Sequence, residues 1–394
     1  MLPIAAALGY ATSVIHIYGL GPYIDPISQT FGWSRTQTTA GLTLCTLVQA
    51  VAGVPIGIAV DRLGPRRFGL IGVLLTCAAF ALLATASGGV GNWFMLWGVL
   101  AVATLPVQAT IWTSAVATRF EASRGMAFAI TLCGASIAAA IFPLLGTWLI
   151  REQGWRTALP LQGLIWAAVA FVPILVFFRG AHDRGRGGAK AAARPDLPGV
   201  ALREGLRSTI YLRLLLASLL FTFTIIALVV HFVPILTDRG ADKLTAAGIA
   251  SLVGLSSIAG RIGTGLLLDR LPGSWVGAGV FMLPAVGCLA LLLGGDVFAV
   301  HALAACLVGL TLGAEVDVIV YLTTRHFGLK HFGALYGGLL AALSIGTATG
   351  PLGASAIFDA YGSYAPFLWL TIAFMAASSV ALASLPRPAA GTGH

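Results

Sequence analysis

Gly57-Ile58-Ala59-Val60-Asp61-Arg62-Leu63-Gly64 and Gly265-Leu266-Leu267-Leu268-Asp269-Arg270-Leu271-Pro272 lie 208 residues apart in a chain of 394. Each closes an apolar run on Asp-Arg. The same ungapped offset pairs Pro26 with Pro234, Gly32 with Gly240, Gly125 with Gly333 and Ser136 with Ser344. It also pairs Pro143-Leu144 with Pro351-Leu352 and Gly154 with Gly362. Chance identity among apolar letters would not align Asp-Arg, Pro and Gly together. The chain is an internal duplication.

Composition says what was duplicated. Residues of the AVILMFWYC set make up 58% and charged residues 9%; mean hydropathy is +0.93. A soluble domain carries about 25% charged residues. These values point to a polytopic membrane protein and exclude a disordered chain, a secreted disulfide scaffold and a nucleic-acid binder. All five cysteines (Cys45, Cys77, Cys133, Cys288, Cys306) fall within apolar runs. They read as packed side chains, not bridges or metal ligands.

A spanning helix needs about 20 mostly apolar residues. Twelve such runs are expected, near 3–25, 37–60, 67–87, 92–117, 125–150, 157–178, 209–236, 245–268, 274–294, 297–324, 332–357 and 364–385. Period-2 alternation is absent, so the runs are helices and not barrel strands. Met1 enters the first run without a basic leader, so that run reads as a span, not a cleaved signal. The expected fold is all-α, with twelve transmembrane helices in two pseudo-symmetric six-helix bundles. The bundles are residues 1–178 and 209–394, joined by a cytoplasmic linker over 179–208. Each copy holds an even number of spans, so the copies share orientation about an axis along the membrane normal. Two such bundles can rock about a central site.

Charge sets the orientation. With the N-terminus in the cytoplasm, sixteen Lys/Arg fall on that side: Arg62, Arg66, Arg67, Arg119, Arg124, seven within 179–207, Arg270, Arg325, Lys330 and Arg387. Five fall outside: Arg35, Arg151, Arg156, Arg239 and Lys243. The bias follows the positive-inside rule and places both termini in the cytoplasm. It accounts for the net charge of +9 without nucleic acid. The location implied is a plasma membrane, a bacterial inner one.

The segment 57–67, with Gly57, Asp61, Arg62, Gly64, Arg66 and Arg67, resembles the signature that the major facilitator superfamily carries between spans two and three. Asp269 and Arg270 stand in the degenerate second copy. Gly57 lets neighbouring helices approach, Asp61 can accept from an Arg or a helix N-terminus, and the basic residues can grip partners. The group is expected to act as a conformational latch. Phe31-Gly32-Trp33-Ser34-Arg35, Phe120 to Ala127, Gly154-Trp155-Arg156 and Gly260-Arg261 narrow the likeness to the monocarboxylate transporter and oxalate/formate antiporter branch. In that branch, the span-eight arginine matching Arg261 binds the substrate carboxylate, often with a lysine of span one or eleven. Here span one has no lysine and span eleven has Lys330 only at its mouth; His16 lies near the span-one position.

Ionisable groups inside spans are functional candidates. Arg261 lies eight residues from the end of its run, or about 12 Å at 1.5 Å per residue. Its repeat counterpart is Gly53, so the fold does not require Arg there. A guanidinium suits a planar carboxylate, and an acid of span ten is its expected partner when no substrate is bound. Glu315 and Asp317 supply two such acids, about 200° apart on a helix, each open to a structural or a proton-coupling role. His16 can hydrogen-bond an anion, carry a proton or pack. Tyr18 and Tyr336, like Tyr10, are candidates to line the cavity.

The span-eleven segment Gly346-Thr-Ala-Thr-Gly350-Pro351-Leu-Gly353 reads as a helix-approach and bending device. It resembles a Gly-Pro motif that drug antiporters carry in span five, where this chain has Phe142-Pro143. No phosphate-binding loop, metal-ligand cluster or catalytic nucleophile motif occurs. The sequence therefore points to a secondary transporter, not an enzyme. Its expected cargo is a small organic anion, a monocarboxylate moved with a proton, and it needs no cofactor, metal, nucleic acid or obligate protein partner. Drug or metabolite export by proton antiport is the alternative, and a non-transporting membrane sensor a weaker one.

Overall fold

The computed structural model describes residues 1–117, 124–179, 199–328 and 330–386. These form helices joined by short turns, because a backbone in hydrocarbon must satisfy its own N–H and C=O groups. Ten helices among them are long and apolar enough to cross a bilayer. Two further stretches match the first two expected spans. Arg35–Leu63 is one helix. The first span is not: it runs as Leu2–Ser13, Ile15–Tyr18, a 3-10 turn Gly21–Tyr23 and Ile24–Phe31. Its first break is at Val14, whose backbone leaves the helical region at φ −113°, ψ 11°; Gly19, Gly21 and Pro22 follow. The fourth span also breaks, into Val90–Thr104 and Ala109–Ala117, across Pro106, which has no N–H to donate.

The duplication is visible in the backbone. Helices that begin at Arg35, Pro65, Val90 and Arg124 are matched by helices that begin at Lys243, Gly273, Phe298 and Phe332, each 208 positions later. Arg124–Gln153 and Phe332–Tyr361 also end in register, each with an internal proline, Pro143 and Pro351. The glycine that follows each takes positive φ, +73° at Gly154 and +65° at Gly362, where a Cβ would be strained.

Compactness divides the chain differently from the duplication. One unit comprises residues 1–188 with 229–254, the other 189–228 with 255–394. In the first unit, Gly134 lets Arg124–Gln153 meet the backbone of Leu2–Ser13 at Ala7, and Gly9 and Gly69 make the notch that holds the Trp112 ring. Residues 229–254 are held there in the same way. A Cβ on Gly21 would stand 2.5 Å from the Val230 carbonyl oxygen, and one on Gly254 would meet the backbone of Ser136 and Ala140. The motif residues Phe31, Trp33 and Trp155 form one aromatic cluster with Trp93. The Arg156 guanidinium lies 4.5 Å from the Trp155 ring and donates to the carbonyls of Ala84 and Ala86. The two sequence motifs are thus parts of one clamp at a single end of the unit.

In the second unit, Gly346, Gly350 and Gly353 receive Phe223 of Thr209–Asp238, a close approach that larger residues would block. This is the packing that the glycine run in span eleven implies.

Candidate functional site

The charged cluster of the second unit is seated by small residues. Gly260 of Lys243–Leu268 lies against the backbone of Leu310, and Gly313 of Phe298–Phe327 lies against Ser257 and 2.9 Å from the Arg261 nitrogen, measured from an ideal Cβ. The two helices therefore cross backbone to backbone at Arg261. Asp317 follows Gly313 by four residues and shares its helix face, so it is delivered to that arginine. Arg261 NH1 stands 3.5 Å from Asp317 Oδ1, with the two side chains 13% and 32% exposed. The Arg261 Nε is buried and has no hydrogen-bond acceptor among the described residues. Five N–H donors on a planar fork are thus only partly used.

Glu315, two residues from Asp317, lies on another side of the helix. It is buried at 8% exposure, and its Oε1 has no partner among the described residues. The two acids of the motif are not equivalent: one neutralises Arg261 at a half-open position, the other is enclosed.

His16 is also enclosed, at 0% exposure, in the first unit. Its Nε2 lies 3.4 Å from Gln49 Nε2, which also donates to Thr104 Oγ1 at 2.8 Å and reaches Cys45 Sγ at 3.7 Å. With Gln49 as donor, the imidazole proton sits on Nδ1, an atom with no partner among the described residues. Tyr18 is buried at 6% exposure. Tyr336, in the second unit, stacks on Phe332 with centroids 5.3 Å apart. The named candidates thus fall into two groups. Arg261, Asp317 and Glu315 come together in one unit, while His16 joins a polar chain in the other.

Of the latch residues, the side chains of Asp61 and Arg62 lie outside the described residues, and Gly57 sits within the same undescribed stretch of Arg35–Leu63. Gly64 turns the chain at φ +84°. Arg66 donates to the Leu175 carbonyl at 2.9 Å, while Arg67, Asp269 and Arg270 are exposed. Gly265, the counterpart of Gly57, has nothing within 4 Å of an ideal Cβ among the described residues, and so makes no close helix approach to any of them.

Sequence reasoning missed Gln49 and Thr104, which sit on separate helices and share no spacing with His16. It also missed Asp25 and Asp238, which meet at Arg35. An arginine opening one span and acids closing two others was the available signal.

Comparison with known proteins gives consistent relatives. The model of the family described as Major Facilitator Superfamily matches residues 6–328. Monocarboxylate transporter 13 of Bos taurus is 28% identical over 349 residues, covering 85% of this chain and 77% of that protein. The chloramphenicol resistance protein of Streptomyces lividans is 31% identical over 404 residues, covering 94% of this chain and 96% of that one. Among solved structures, a bacterial homologue of the human lysosomal transporter Spinster, inward-facing and unoccupied, superposes with a TM-score of 0.69 at 18% identity, covering 97% and 93% of the two chains.

Proposed function

The chain belongs to the major facilitator superfamily, a family of multi-pass membrane transporters, and from that premise we propose that it carries a small organic anion, a monocarboxylate, together with a proton. The observation that carries this reading is Arg261: a mid-helix cation, held 3.5 Å from one acid and with a buried Nε that has no partner among the described residues. A guanidinium can take a carboxylate with two parallel hydrogen bonds. A substrate carboxylate would replace or join Asp317 on that fork. The site would otherwise gain one net negative charge, in a region where charge is costly. A proton taken up by Glu315 or Asp317 offsets it, which makes symport the economical stoichiometry. His16, Tyr18 and Tyr336 are proposed as further substrate-lining groups, and residues 57–67 with Asp269 and Arg270 as the latch. Alternating access is proposed between the bundles 1–178 and 209–394. Both termini are proposed to face the cytoplasm of a bacterium, with residues 31–35 and 238–243 outside.

A second reading is supported by the Streptomyces relative, whose name gives chloramphenicol resistance and which matches nearly the whole chain. It makes the chain a proton-antiport exporter. Purified protein in liposomes separates the two. Symport predicts accumulation of a small carboxylate when the outside is made acidic, and loss of accumulation when the gradient is collapsed. Antiport predicts movement of chloramphenicol against the proton flow and no carboxylate uptake, and that result would overturn the proposal.

A further inference from the structure

Arg35 opens Arg35–Leu63 and is shared by two acids. Its NH2 lies 2.8 Å from Asp25 Oδ1. NH1 donates to Asp238 Oδ2 at 2.8 Å and NH2 to Asp238 Oδ1 at 3.1 Å, a two-pronged grip. Arg35 is 11% exposed, against 20% for Asp25 and 33% for Asp238. Such geometry, partly out of water, is stronger than an ordinary surface pair. Asp25 is the second residue of Ile24–Phe31, the last piece of the broken first span, and Asp238 ends Thr209–Asp238. One guanidinium therefore ties together the ends of three helical stretches, one of them from the second repeat.

The fold does not demand this arrangement. Shifted by 208 residues, Arg35 becomes Lys243, Asp25 becomes Val233, and Asp238 corresponds to Thr30. No equivalent triad can form in the other copy, although the helices repeat in register. A cavity of about 420 Å³ lies beside the triad, lined by Gly21, Asp25, Thr147, Pro234, Thr237 and Lys243 among others. It is large enough for a small organic ion, and Thr147, on its wall, is 4% exposed.

We propose that Arg35, Asp25 and Asp238 form the clasp of the outer gate, and that the cavity beside them is the outer vestibule, opened when the clasp breaks. Closed, the clasp holds the outer end of Thr209–Asp238 on the first-repeat helices, where Gly21 and Val230 already touch backbone to backbone. Open, the three side chains are solvated and the vestibule joins the outside. Val230, Phe232 and Leu236 beside that contact are buried; the clasp adds charge pairing to this packing, and its loss biases the equilibrium toward the open state. The inference uses the orientation proposed above but not the identity of the cargo.

The test places Thr147→Cys in the full-length protein and follows its alkylation by a membrane-impermeant maleimide in right-side-out and inside-out vesicles. The five native cysteines, measured without Thr147→Cys, give the background. Arg35→Gln should speed labelling about 10-fold from the outside. The exchange Arg35→Asp with Asp238→Arg restores an ion pair between positions 35 and 238 and should slow labelling again, back toward the parental rate. Parental labelling in Arg35→Gln would overturn the clasp. So would fast labelling in the exchange variant that matches the single variant, since a merely misfolded protein is not rescued by reversing charges. Faster labelling of Arg35→Gln in inside-out vesicles alone would support the clasp and reverse the orientation.

Discussion

Arg261 and Asp317 neutralise each other at 3.5 Å, while Glu315 is enclosed and its Oε1 has no partner among the described residues. That asymmetry separates two tasks. Replacing Asp317 by Asn removes the counter-ion from Arg261; substrate carboxylate then meets no competitor, and its affinity should rise by several-fold, about 3 to 10. Replacing Glu315 by Gln leaves the ion pair intact. If Glu315 carries the proton, that variant should still exchange substrate at near the parental rate across liposomes but fail to concentrate it under a proton gradient. Counterflow and gradient-driven uptake measured on the same vesicles check both expectations. Full gradient-driven accumulation by Glu315→Gln moves the proton to Asp317 or His16. The sequence made Arg261 and an acid of span ten partners, because a buried cation needs one. It left open which acid, since spacing gives only that 315 and 317 face different ways. The close seat of Gly313 on Ser257 and Arg261 resolves this, and such a contact is a tertiary fact. The polar chain from His16 to Gln49 and Thr104 was illegible for the same reason.

At the scale of the helix, glycine does the positioning. Gly260 and Gly313 bring two backbones together with no side chain between them. A Leu at 313 would have to displace main chain, and overpacking of this kind costs about 1–3 kcal/mol. Gly313→Leu should therefore lower the thermal midpoint in detergent and weaken carboxylate binding, because it parts Arg261 from Asp317. Gly263→Leu on the neighbouring helix is the control: nothing among the described residues lies within 4 Å of an ideal Cβ there, and its midpoint should be near the parental one. An equal loss from both variants would mean that the crossing does not position the cluster. Helix existence was legible from apolar runs, and repeat registry from Pro, Gly and Asp-Arg landmarks. The breaks at Val14 and Leu105–Val107 were not. Hydropathy sums are blind to them, and only Pro106 and the glycines and proline near 19–22 hinted at them.

At the scale of the whole molecule, a duplicated fold has been made asymmetric at a few charged positions. Arg261 stands where the first copy has Gly53, and the Arg35 triad has no second copy. In the account proposed here the repeated helices supply the frame, and the unequal residues supply a place for an anion and a device that closes one end. The central claim is that Arg261 takes the carboxylate of the cargo. Its most direct test is the equilibrium affinity of purified protein for small monocarboxylates, comparing the parent with Arg261→Ala and Arg261→Lys, each shown to be folded by its melting curve. Removing one member of a buried charge pair costs about 3–5 kcal/mol, so Arg261→Ala should bind at least about 100-fold more weakly. Arg261→Lys keeps the charge, loses the fork and should bind about 10-fold more weakly. Parental affinity in Arg261→Ala would contradict the account.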